Sequence, residues 1–165
     1  MSTAVPTAPT RVWLRLLACH NLIEAELRAH LRDEFGTTLA RFDVLAQVAR
    51  PPAEPTMGEL SRRLQVTKGN VTDVVGRLEA DRLVQRRGDP ADARIQRIAL
   101  TERGRRAVAT MIAAHNAQMA HLLRGVDAAD LAQLDVLLGR LRTALREPTV
   151  AAPGDPRSTP RRPLR

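Results

Sequence analysis

The sequence predicts a mainly α-helical domain that carries one small β-hairpin. Through most of the chain the apolar residues recur every three to four positions, the spacing of one helix face. A single stretch, residues 83–100, instead places two short apolar runs around a Gly-Asp-Pro-Ala-Asp turn. Of the 165 residues 44% are hydrophobic but only 2% are aromatic, with no Tyr, so the core must be built of Leu, Val, Ile and Ala, a mixture that suits helices. The length fits one domain, or one domain with a helical extension.

Residues 1–10 (MSTAVPTAPT) have no periodicity and read as a flexible arm. From Arg11 to about Glu34, Val12, Leu16, Ile23, Leu27 and Leu31 form the stripe of a long amphipathic helix that Gly36 ends. Leu39, Phe42, Leu45 and Val48 make a shorter helix, stopped by "RPPAEP", where the prolines remove backbone donors. In "TMGELSRRL", Thr56 and Glu59 have capping-box spacing, and Leu60 and Leu64 give the seam. A tight turn with an inward Val66 follows, then a helix capped by Thr67 whose Val71, Val74-Val75 and Leu78 share one face. The hairpin runs from Leu83 to Arg87 and from Arg94 to Leu100, with Ile98 and Leu100 pointing inward. Thr101 caps a long helix to about Leu123, seamed by Val108, Met111, Ile112, His115, Met119 and Leu122. After Gly125, Asp127 caps a last helix with Leu131, Leu134, Leu138, Leu141 and Leu145. Residues 147–165, rich in Pro and Arg, have no seam and read as a disordered tail.

Several classes are set aside at this level. No run approaches the roughly 18–20 apolar residues of a membrane span. The first ten residues lack the basic start and apolar core of a secretion signal, and a lone Cys19 allows no internal disulfide; both fit the cytoplasm. There is no nucleophile elbow, phosphate-binding glycine loop or paired-carboxylate signature, so an enzyme is not expected. No cofactor is expected either. The net charge of +8 is concentrated: residues 62–106 hold twelve cations against six acids, while residues 1–61 hold six against seven. That localisation favours a polyanionic partner.

A short capped helix, a tight turn and a second helix with one apolar stripe is helix-turn-helix grammar. With the stripe turned inward, the second helix presents Lys68, Gly69, Asn70, Thr72, Asp73, Gly76 and Arg77. A helix enters the major groove of DNA only if its outer face is slim and polar. Asn, Lys and Arg there reach base edges, and Thr and the amides near the N-terminus hold phosphates. A hairpin directly after such a helix is a wing, and an arginine at its tip, Arg94, suits the negative potential of a narrow minor groove. Asp92, two residues earlier, can pair with Arg94 or brace the loop.

The stretch "TMGELSRRLQVTKGNVTDVVGRLEADRLVQRRGDPADARIQRIALTERG" (residues 56–104) resembles the winged helix-turn-helix of the MarR (multiple antibiotic resistance regulator) family. The specific part is D-P-x-D-x-R followed by x-L-T-x-x-G, here Asp89-Pro90, Asp92, Arg94, Leu100-Thr101 and Gly104. The resemblance covers about residues 11–146. It implies a winged domain at about 39–100, flanked by dimerisation helices at about 11–35 and 102–146 that make a homodimer. It also implies a pseudo-palindromic operator, a small-molecule effector and, as the regulatory sense, repression. By the same resemblance Thr67, Lys68, Asn70, Thr72 and Arg77 face DNA, and Arg94 enters the minor groove oriented by Asp92. Asp73 departs from the pattern, standing where many members carry a cation or neutral group; an acid there repels phosphate, so it either reads a cytosine amino group or lies at the edge of the groove. The segment "TLARFDVLAQVA" is most similar to the branch that responds to aromatic and hydroxycinnamic acids or their coenzyme A thioesters.

Effector candidates are the groups that break the aliphatic pattern: Trp13, His20, Arg41, Phe42, Met111 and His115. Arg41 would anchor a carboxylate, with Trp13 and Phe42 flanking a ring. Trp13 and His115 equally suit a core, and Arg41 a solvated face. Two other readings compete. One is a DNA-architectural protein without sequence choice, favoured by Arg157, Arg161, Arg162 and Arg165 in the tail. The other is a redox regulator built on Cys19, which lacks the tyrosines that activate such thiols in the family's peroxide-sensing branch. A metal module on His20, Glu24 and Cys19 is not expected, because the remaining histidines do not share a face.

Overall fold

The computed structural model describes residues 5–147 apart from Ala53 and Ala93. The expectations for residues 1–4 and for the tail beyond Glu147 lie outside the described residues. The chain falls into two units that divide between Leu123 and Arg124.

In the first unit α1 (Ala8–Phe35) begins three residues earlier than the periodicity suggests. Pro9 lies in its first turn, where a fixed φ and a missing N–H cost nothing, so the end of the expected arm is helical. Gly36, at φ +58°, ends α1; its N–H and that of Thr37 donate to Arg32 and Leu31 carbonyls at 3.0 and 3.2 Å. α2 (Leu39–Ala49) is capped by Thr38. α3 (Met57–Leu64) starts in the expected capping box, with Thr56 N–H donating to Glu59 Oε2 at 2.7 Å and Glu59 N–H to Thr56 Oγ1 at 3.2 Å. The Thr56 N–H, followed by the Thr56 hydroxyl donating to Oε2 at 3.1 Å, holds the Glu59 carboxyl below the usual range. α4 (Lys68–Ala80) is capped by Thr67.

Val66, in the turn between α3 and α4, is 41% exposed rather than buried. The Ser61 hydroxyl donates to the Val66 carbonyl at 2.6 Å and the Val66 N–H to the Ser61 carbonyl at 3.2 Å, which fixes the turn.

β1 (Val84–Gly88) and β2 (Gln96–Leu100) pair antiparallel, Val84 opposite Leu100 and Gly88 opposite Gln96. Ile98 and Leu100 are buried as expected, and Ala99 between them is covered too. β2 also gains an edge partner in the α2–α3 loop: Ile98 N–H donates to the buried Pro55 at 2.9 Å, and Thr56 bridges Arg97. α5 (Glu102–Leu122) is capped by Thr101. One core joins these elements through Leu31, Phe42, Leu45, Leu60, Val75, Leu78, Ile98 and Val108. Each fully buried aliphatic side chain there is worth about 1.5–3 kcal/mol relative to exposure, which places α4 and the hairpin on a common base.

The second unit contains α6 (Ala128–Arg146), capped by Asp127, whose side chain accepts from Asp130 N–H at 2.7 Å. None of its residues is buried; Leu134, Val136, Leu137, Leu138 and Leu145 are exposed. α1 likewise leaves Val12, Trp13, Leu14, Leu17 and Leu22 exposed.

Candidate nucleic-acid interface

α4 separates its faces as the sequence suggests. Val71, Val75 and Leu78 are buried, whereas Gly69, Asn70, Thr72, Asp73, Gly76 and Arg77 are exposed. Thr67 accepts from Asn70 N–H at 3.4 Å. Lys68 opens the helix; the role expected of its side chain lies outside what the structure describes. The result is a narrow polar ridge with no aromatic or long aliphatic group on it.

The wing tip is tied more fully than the sequence suggests. Arg94 Nε donates to Asp92 Oδ1 at 3.0 Å and Nη2 to Oδ2 at 2.9 Å, a two-pronged pair. The backbone N–H of Arg94 donates to the same Oδ1 at 3.0 Å, so Asp92 both pairs with the side chain and braces the loop. The Arg94 guanidinium, followed by its amide, holds the Asp92 carboxyl below the usual range. Yet the Arg94 side chain is 90% exposed, so the fork is held in place and still open to solvent.

A second acid below the tip, Asp89, enters the sequence reading only as part of the wing motif, without its partners. Asp89 Oδ1 accepts from Ala91 N–H at 2.7 Å and Asp92 N–H at 3.3 Å, closing the turn, while Oδ2 pairs with Arg97 Nε. Its side chain is only 8% exposed, and the Ala91 amide and Arg97 keep its pKa below the usual range. Arg97 Nη1 also donates to the Glu54 carbonyl at 3.1 Å, and Arg87 Nη1 reaches Glu54 Oε1 at 3.4 Å. The register carries the signal that could have revealed this. Arg87 and Arg97 are directly opposite, and facing like charges need acids beside them.

The effector candidates are only partly brought together. Phe42 is buried and stacks on His115, ring centroids 5.0 Å apart and planes at 32°. Met111 is buried in the same core. His115 is not a satisfied core histidine: its Nδ1 is buried with no hydrogen-bond partner among the described residues, as is Nε2 of His30. Burial, and then His30, lower the His115 pKa. Arg41 is not solvated; its Nη2 pairs with Asp81, at the C-terminal cap of α4. Trp13 is 59% exposed on α1 rather than core, and His20 sits 3.7 Å from Glu24 on the α1 surface. No group of three or more His, Cys, Asp or Glu among the described residues is arranged to hold a metal ion. Among the described residues no helix is long and apolar enough to cross a membrane.

A capped helix, a fixed turn, a slim polar helix and an arginine-tipped hairpin tied to the same base define a winged helix-turn-helix protein. Comparisons give the family. A model of the MarR family matches residues 35–95. A MarR-family transcriptional regulator from Silicibacter pomeroyi is 36% identical, with a TM-score of 0.71 over 84% of this chain and 95% of that one. The transcriptional activatory protein BadR of Rhodopseudomonas palustris is 32% identical over 97 residues, 58% of this chain; the match spans 55% of that relative's length. A Streptomyces coelicolor MarR-family regulator solved in complex with DNA shares the fold at 21% identity, TM-score 0.74, over 90% of this chain and 94% of that one. The chain belongs to the MarR family of transcriptional regulators.

Proposed function

We propose that the protein is a sequence-specific, homodimeric DNA-binding regulator released by a small aromatic acid or its coenzyme A thioester, and acting as a repressor. The observation that carries the DNA reading is the exposed Arg94 fork held by Asp92, in the same unit as the bare polar face of α4. In this reading Asn70, Thr72 and Arg77, with Lys68, meet base edges and phosphates in the major groove, and Arg94 enters the adjoining minor groove. The dimer is supported by the apolar side chains that α1 and α6 leave uncovered, including Trp13, Leu17, Leu134 and Leu138. The effector reading rests on the Phe42–His115 pair and the orphaned nitrogens of His115 and His30, which a carboxylate would satisfy once an imidazole is protonated. Arg41 would contribute only by releasing Asp81.

The test is a titration of the intergenic DNA beside the protein's own gene against a scrambled duplex at fixed salt. A specific regulator discriminates by about 10³-fold or more at physiological salt. Equal affinity for the two would replace this reading with a DNA-coating protein. Footprints should come as two half-sites about one helical turn, roughly 34 Å, apart.

A further inference from the structure

Asp73 is the one acid on the α4 ridge, where a polyanion is the expected partner. The structure gives it a different neighbourhood. A cavity of about 290 Å³ opens between α2, the α3–α4 turn and α4, and Asp73 lies on its wall. Across from it on α2 is Asp43, half-buried, with no hydrogen bond or ion pair among the described residues. The rest of the lining is largely aliphatic: Val44, Leu64, Val71, Val74 and the turn residue Val66. Small-molecule sites combine an apolar lining with a few placed polar groups and begin near about 300 Å³.

We propose that this cavity binds a compact hydrophobic organic cation, with the ammonium group between Asp43 and Asp73 and the apolar body against the valines.

Charge decides the class of ligand. The rim holds two carboxylates and one guanidinium, Arg77, so an organic acid would meet net repulsion and a neutral body would leave Asp43 unpaired. Desolvation raises the Asp43 pKa above the usual carboxylate value and the charge of Glu24 raises it further, with a smaller opposing effect from Arg28; a bound cation would offset the remaining cost. The turn geometry supplies the apolar half. Ser61 fixes the Val66 backbone, which leaves 41% of Val66 open at the cavity wall instead of in the core. The site is distinct from the Phe42–His115 pair, to which the acidic effector is assigned.

The experiment uses the full chain without DNA, so its failure and the failure of the DNA reading are separable. Phenethylamine, the neutral 2-phenylethanol and the acid 3-phenylpropionate are titrated in turn, following the amide and methyl resonances of Val66, Asn70 and Val74. The amine should bind at least tenfold more tightly than the alcohol, and the acid more weakly still. Asp43→Asn and Asp73→Asn should each reduce amine affinity at least threefold and leave the alcohol unchanged. Neither variant threatens folding, since Asp73 is exposed and Asp43 loses a half-buried, unpaired charge. Equal binding of amine and alcohol, tighter binding of the acid, amine affinity unaffected by both substitutions, or shifts confined to residues outside the cavity would each overturn the proposal.

Discussion

Gly104→Ala and Gly139→Ala are the same chemical change in two helices, and they should have opposite signs. Helix propensity alone favours both: Ala is better than Gly by about 0.8–1.0 kcal/mol in a helix interior such as that around Gly139, and by less at Gly104 in the first turn of α5. At Gly139 nothing lies within 4 Å of an added Cβ, so Gly139→Ala should stabilise by up to that amount. At Gly104 the added Cβ would stand 1.9 Å from the Leu83 carbonyl oxygen and 2.9 Å from its carbon. To restore even a 3.0 Å contact the carbonyl must retreat by about 1.1 Å. That carbonyl accepts from Thr101 N–H at 3.1 Å and Thr101 Oγ1 at 3.3 Å, the bonds that dock the α5 cap onto the start of the hairpin.

Overpacking of this kind costs about 1–3 kcal/mol, and weakened hydrogen bonds add about 1 kcal/mol each. Subtracting the propensity gain leaves a net loss of about 3 kcal/mol for Gly104→Ala. With an m value of about 2 kcal/mol per molar in urea, the midpoint should fall by roughly 1.5 M. The assay is urea unfolding followed by circular dichroism at one fixed protein concentration, since association shifts apparent stability. A Gly104→Ala protein as stable as the parent would refute the close approach of α5 to Leu83.

Three further outcomes are expected. Arg94→Ala should weaken DNA binding roughly tenfold and lower the slope of log affinity against log salt by about one; Asp92→Ala should weaken it as well, and tighter binding by Asp92→Ala would remove the bracing role. Arg97→Met keeps the side-chain stem but cuts the ties to Asp89 and to the Glu54 carbonyl, so DNA affinity should drop severalfold with the salt slope unchanged; a slope lower by one would make Arg97 a direct phosphate contact instead. The folded His115 pKa lies below its ordinary 6.5, so the unfolded chain takes up a proton first as pH falls. Stability should therefore decrease from pH 7.5 to 5.5, a window above the carboxylates, and His115→Leu should flatten that decrease.

What was legible in the sequence was what periodicity and capping chemistry fix locally. The spacing of Val71, Val75 and Leu78 defined the buried face of α4, and Thr56 with Glu59 defined the start of α3, because both are decided within one or two helical turns. The Asp92–Arg94 pair was legible for the same reason. Three features were missed or misjudged, two of them because their partners lie far along the chain. Val66 was expected in the core, but Ser61 holds the turn and leaves Val66 41% exposed. Arg41 is matched by Asp81, forty residues away. Arg97 is matched by Asp89 across a turn and by Glu54 across the α2–α3 loop, which no local pattern announces.

That loop explains how a two-stranded hairpin, marginal on its own, can hold a fixed direction. Within three residues the Glu54 carbonyl receives Arg97, the Pro55 carbonyl receives Ile98, and Thr56 opens the capping box of α3. The base of the wing and the start of the helix-turn-helix are thus referenced to one short segment, so the wing cannot swing without disturbing α3. Above this base only the tip is free, and there the Asp92–Arg94 pair acts on geometry rather than stability, since exposed ion pairs contribute little to folding. Of the five N–H donors of the Arg94 guanidinium the pair occupies two, Nε and one on Nη2. Three remain, aimed outward from a side chain whose rotamer is already set. A partner that accepts them meets an arginine whose ordering cost has been met in the free protein, which is why losing the aspartate should weaken binding to a polyanion even as it removes a negative charge.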